Sequence, residues 1–161
     1  MKPENTLSLE MPGWGSITHI VDIIRNPSLI LDKDNNVLFS NDAFKRTFQI
    51  KPSLEKNKNI FEIGNKQFDI PKLKQLLIEI IPKNNYFNDL EIHHTFPFIG
   101  EKIMLASAKG VENIVFVTIE DVTITMTVAK TLADFAKTQV DKISKLEKDL
   151  QNIKKIKDKK K

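Results

Sequence analysis

Asn26-Pro-Ser-Leu-Ile-Leu-Asp-Lys-Asp-Asn-Asn-Val-Leu-Phe-Ser-Asn41-Asp-Ala-Phe44 is the stretch from which the fold can be read. Ser28–Asp32 and Val37–Ser40 are short apolar runs, and the four residues between them, Lys33-Asp34-Asn35-Asn36, tolerate the positive φ of a hairpin turn. The spacing predicts two antiparallel strands. Asn41 and Asp42 are capping residues, and Phe44 and Phe48 stand one helical turn apart, so a short helix with an aromatic face follows directly.

On the amino-terminal side, Ser16 is placed to cap a helix whose apolar residues Ile17, Ile20, Val21, Ile23 and Ile24 recur at helical spacing until Pro27. Residues 1–15 are polar and broken by prolines and glycines, which predicts a flexible lead anchored only by Trp14. On the other side a polar connection runs to Asn59, and Ile60–Gly64 reads as one helical turn closed by its glycine. Asp69 then caps an expected helix over Ile70–Ile81, with Leu73, Leu76 and Leu77 on one face and Pro82 as its stop. Three strands follow without an intervening helix. Leu90, Ile92, His94 and Phe96 alternate with polar residues, Lys102–Ala108 continues after a turn at Pro97–Gly100, and Ile114–Ile119 is apolar on both faces, as a central strand should be. From about Thr125 no glycine or proline interrupts the chain, and Leu132, Ile143, Leu146, Leu150 and Ile153 fall on a three-four spacing with Gln139 in the same seam. That stripe predicts a helix that pairs with another, a coiled coil.

This order predicts an α+β domain: a five-stranded antiparallel sheet with helices on one face, then a long C-terminal helix. It resembles a PAS domain. The opening stretch is similar to the family's strand hairpin running into an Asn-x-Ala-Phe helix start, and Glu120-Asp121-Val122-Thr123 to its closing Asp-(Ile/Val)-Thr motif. Asn59-Ile-Phe-Glu-Ile-Gly64-Asn-Lys-Gln-Phe68-Asp-Ile-Pro71 and Phe87-Asn-Asp-Leu-Glu-Ile-His-His-Thr-Phe96-Pro-Phe-Ile-Gly100 resemble PAS modules of bacterial sensor histidine kinases and of chemotaxis methyltransferase-methylesterase fusions. The likeness covers about residues 17–125. It implies a PAS domain over 16–124, with its N-terminal helix at 16–26, and a signalling helix with a basic tail over 125–161.

The resemblance also implies a function: a sensory or interaction module in two-component signal transduction. It would bind a small ligand or a second copy of itself and transmit a shift through the helix after its last strand. Asp121 and Thr123 match the junction where that helix leaves the sheet, and Phe61, Phe68, Leu77, His94, Met104 and Phe116 come from segments that line the ligand cavity of the fold. The alternative is a ligand-free scaffold in which these side chains fill the interior. The expected partners are a second copy, as a homodimer, and a histidine kinase or chemotaxis protein acting in trans.

Composition narrows the chemistry. The 161 residues carry no cysteine, which removes disulfides, thiolate nucleophiles, Cys-based zinc sites and the cysteinyl flavin of light-sensing relatives. Haem is disfavoured, since haem-binding family members take their ligand from the helix matching Ile70–Ile81, which has no histidine. The identity of any cofactor stays open. His93 and His94 point to opposite faces of a strand and cannot share a metal ion. No glycine-rich phosphate loop or convergent catalytic set is present, so no enzyme is expected. The net charge of +4 is unevenly placed: Asp141–Lys161 holds nine lysines and four acids, leaving the rest at −1. With no arginine or aromatic residue in that tail, sequence-specific nucleic-acid binding is not expected. Charge interrupts the chain too often for a membrane span of about 20 apolar residues, and Met1–Glu10 lacks the apolar core of a signal peptide, so the expected compartment is the cytoplasm.

Overall fold

The structure, a computed structural model, describes residues 12–51, 57–80 and 86–159. The chain divides after Val122 into two compact units. In the first, α1 (Trp14–Asp22), β1 (Ser28–Asp32), β2 (Val37–Ser40), α2 (Asp42–Phe48), α3 (Ile63–Lys66), α4 (Pro71–Ile80), β3 (Tyr86–Phe96), β4 (Gly100–Val111) and β5 (Ile114–Asp121) follow in order; the second is the single helix α5 (Thr123–Asp158). The five strands form one antiparallel sheet in the order β2-β1-β5-β4-β3, with β5 at its centre.

The hairpin that begins the sheet is built by Asp32. Its carboxylate accepts from the backbone N–H groups of Asp34 and Asn36, each at 2.8 Å, and from the Asn36 amide at 2.9 Å. Asn35 takes the left-handed conformation at φ 63°, which an asparagine tolerates at low cost. Alternation then sorts the side chains. Leu29, Leu31, Val115, Val117, Ile119, Met104, Ala106, Leu90, Ile92 and Phe96 face α2, α3 and α4 and form the main core. Ile30 points the other way and packs with Leu38 and Val21, so α1 covers part of the opposite face, with Trp14 and Ile17 against it.

Asn41 joins these parts. Fully buried, it caps α2 by accepting from Phe44 N–H at 2.9 Å, and the same oxygen accepts from Ser28 N–H at 3.0 Å, at the start of β1. Its amide N–H groups are shared among the carbonyls of Val21, Ile24 and Asn26, at 3.0 to 3.3 Å, which closes the end of α1.

Three local expectations are corrected. Ser16 does not cap α1: Gly13, left-handed at φ 82°, precedes the helix and its carbonyl accepts from Ile17 N–H at 3.0 Å, so Trp14 and Gly15 are already helical. Gly64 follows the turn at 60–62 in the left-handed conformation, but the reversal is not confined to it: Gly64, Asn65 and Lys66 all take positive φ of 54° to 59°, a left-handed turn where the chain was expected to leave the first one. Asp69 does not cap α4, because Pro71 opens it with a preset φ and no N–H to satisfy; the Asp69 carboxylate instead pairs with Lys74 Nζ at 3.4 Å. The expected end of α4 at Ile81 and Pro82, and the lead before residue 12, lie outside the described residues.

Replacing Asn41 with Ala removes a cap and leaves buried donors and carbonyls unpaired, an expected loss of about 2–4 kcal/mol. Asn41→Asp keeps the cap oxygens but sets a carboxylate against three carbonyls, so urea denaturation should show it destabilised as well; unchanged stability would mean the amide bonds to α1 contribute nothing.

Candidate functional site

The core between the sheet and the helices α2 to α4 is rich in phenylalanine. Phe44 and Phe48 reach it from α2, Phe68 from the turn before α4, and Phe96 from the end of β3, each 3% exposed or less. Their ring centroids lie 5.1 Å apart for Phe44–Phe48, 5.3 Å for Phe44–Phe68, 4.8 Å for Phe48–Phe68 and 5.5 Å for Phe48–Phe96. These are tilted, stacked and edge-on contacts of the kind that add to burial rather than leave space. Leu77 and Met104 close the cluster and are themselves buried.

Of the six cavity candidates, the structure gathers Phe61, Phe68, Leu77 and Met104 in this core. Phe61 carries Lys74 Nζ 5.2 Å above its ring. His94 is half-buried at the rim, edge-on to Phe96 with centroids 4.8 Å apart, while His93 on the other face pairs with Glu91. Phe116 is not part of the group. On β5 the inward residues are Val115, Val117 and Ile119, so Phe116 falls on the opposite face, beside Ile30 of β1 and Lys109 of β4. There it lies in an open groove of about 390 Å³ shared with Tyr86, Asn88 and Thr118. A strand apolar on both faces gives no signal as to which alternate set faces the helices, and only pairing with β1 and β4 decides it.

Gln67 was not marked by its sequence context, yet it is 1% exposed within the aromatic core. Its Nε2 donates to the Phe48 carbonyl at 3.2 Å, and its Oε1 has no hydrogen-bond partner among the described residues. A Cβ on Gly64 would stand 2.1 Å from Gln67 Nε2, so the glycine both permits the left-handed turn and makes room for this side chain. The Gly64-Asn65 pair, two residues tolerant of positive φ in succession, is the signal that could have located it.

At the far end of the sheet, Asp121 closes β5 opposite Met104, and its carboxylate pairs with Lys102 Nζ of β4 at 2.9 Å. Val122 N–H donates to the Ile103 carbonyl at 2.9 Å, and Thr123 opens α5. Within α5, the Thr123 carbonyl accepts from Thr127 Oγ1 at 2.7 Å, and Leu132, Ile143, Leu146, Leu150 and Ile153 are each more than half exposed on one stripe. Among the described residues no helix is long and apolar enough to cross a membrane, and no three metal-binding side chains converge.

No protein-family model matches the sequence, and no curated protein matches it. Solved structures do. The PAS domain of BvgS from Bordetella pertussis matches with a TM-score of 0.57 at 17% identity, over 77% of this chain and 96% of that one. An RNA-binding light-oxygen-voltage receptor matches with a TM-score of 0.60 at 14% identity, over 86% of this chain and 41% of that one. The VqmA dimer of Vibrio cholerae, solved without its target DNA, matches with a TM-score of 0.56 at 12% identity, over 71% of this chain and 53% of that one. At such identities the likeness establishes the fold: the first unit of this chain has the PAS fold.

Phe68→Ala should cost about 3–5 kcal/mol in urea denaturation and open a cavity among Phe44, Phe48 and Phe96. Benzene should then raise the variant's midpoint and leave the parent's unchanged; a similar rise in the parent would show that its interior already holds room.

Proposed function

We propose that this chain is a sensory and interaction module that passes the binding of a ligand or partner through α5, as a homodimer, to a histidine kinase or chemotaxis effector acting in trans in the cytoplasm. The observation that carries this reading is the continuity of β5 into α5. The central strand of the sheet ends at Asp121, and two residues later a 36-residue helix begins whose apolar stripe is open along its length. Among solved structures of the same fold, one is named a light-oxygen-voltage receptor and another comes from work on LuxR-type receptors, which supports a receptor role.

In this reading Asp121 and Thr123 are the junction. The ion pair of Asp121 with Lys102 holds the strand end against β4, so a shift of β4 against β5 would reach the first turn of α5. The energy required is small: a ligand or partner with tenfold preference for one arrangement supplies about 1.4 kcal/mol.

The packed phenylalanine cluster favours a second reading, a ligand-free scaffold whose surface and helix only hold partners together. Native mass spectrometry of the purified chain separates the two. A stoichiometric small molecule contradicts the scaffold, and its reproducible absence from several preparations would point to a signal received as a protein contact.

Replacing Leu146 and Leu150 with Glu places charge in the stripe and should convert a dimer to a monomer while circular dichroism shows the sheet unit still folded. Light scattering on this variant and on the chain ended at Asp121 checks it; dimers in both would move the interface to the sheet or α1.

A further inference from the structure

We infer that the carboxy-terminal part of α5 pairs with the same segment of a second copy in a parallel, in-register coiled coil, with the charged flanks of the seam selecting that arrangement. This rests on the dimeric reading above and adds the partner's orientation and register. In heptad terms Ile143 and Leu150 are a residues, and Leu146 and Ile153 are d residues, all between 52% and 61% exposed on the single helix. Lys142 and Asp149 then occupy g, and Glu147 and Lys154 occupy e. In a parallel pair each g residue faces the next heptad's e residue of the other helix. Lys142 would meet Glu147 of the second copy, and Asp149 would meet its Lys154, so both contacts join opposite charges, each made twice by symmetry.

These charges have no such partner at home. On one helix Lys142 and Glu147 flank the seam on opposite sides, and among the described residues none of Lys142, Glu147, Asp149 and Lys154 forms an ion pair within its own chain. The reverse orientation is disfavoured by the same charges. An antiparallel pair sharing this seam would lay Lys154, Lys155 and Lys157 along Thr123–Ala133, a stretch with Lys130 and no acid. Gln139, at d one turn before Ile143, supplies register. In the parallel alignment it meets Gln139 of the second copy and the two amides bond to each other, whereas a slip by one heptad sets each against an apolar residue with its hydrogen bonds unmade.

The absence of native cysteine allows a clean test on the full chain. Leu132→Cys and Ile153→Cys are prepared singly, their dimer content is read by light scattering under reducing conditions, and each is then mildly oxidised. Efficient disulfide dimers in both variants are expected. Cross-linking only when the two variants are mixed would show an antiparallel pair and overturn the inference while leaving the dimer intact; monomers throughout would overturn the dimeric reading itself. A cysteine-free measurement guards against distortion. Glu147→Lys should weaken self-association roughly tenfold at low salt, and adding Lys142→Glu to the same chain should restore it. A double variant as weak as the single would show that the two side chains do not meet, and the inference would fall.

Discussion

The side chain of Asn41 is the constraint on which the sheet unit depends. One buried amide holds the end of α1, the first residue of β1 and the first turn of α2, through bonds of 2.9 to 3.3 Å. Because α1 lies on one face of the sheet and α2 on the other, this residue fixes the two layers against each other at the hairpin's open end. A hydroxyl or carboxylate could cap α2 equally well, but only a carboxamide offers an acceptor to two backbone N–H groups and donors to three carbonyls. The positions of Phe44 and Phe48 follow from it, since they project from the helix that Asn41 starts.

That placement decides the character of the interior. Four phenylalanines meet under the sheet, and the space is taken by side chains the protein itself supplies. A polar group, Gln67, is held beside these rings and is bonded to the backbone of α2 at its Phe48 carbonyl. At the left-handed turn Gly64–Lys66, the missing Cβ of Gly64 leaves the space that side chain occupies.

The helix α5 is governed by a different balance. It buries none of its residues on its own chain, so its apolar stripe gains nothing until another surface covers it. In the proposed dimer that cover would come from a second copy, and the order of the helix would then be tied to association.

The strands at 28–32 and 37–40, the central position of β5 and the uninterrupted terminal helix were legible in the sequence, because each depends on local patterning: a turn of Asp and Asn residues, a run apolar on both faces, a span without glycine or proline. The apolar stripe along that helix was legible for the same reason. What the sequence could not contain was decided by contacts between distant segments. Phe116 stands away from the core because pairing with Ile30 and Lys109 sets its face, Gly13 replaces Ser16 because a left-handed glycine starts α1 three residues sooner, and Asn41 is more than a cap because α1 ends beside it. Periodicity records which residues share a face of one element; which face meets which, and which buried polar group bridges them, is settled only when the elements pack.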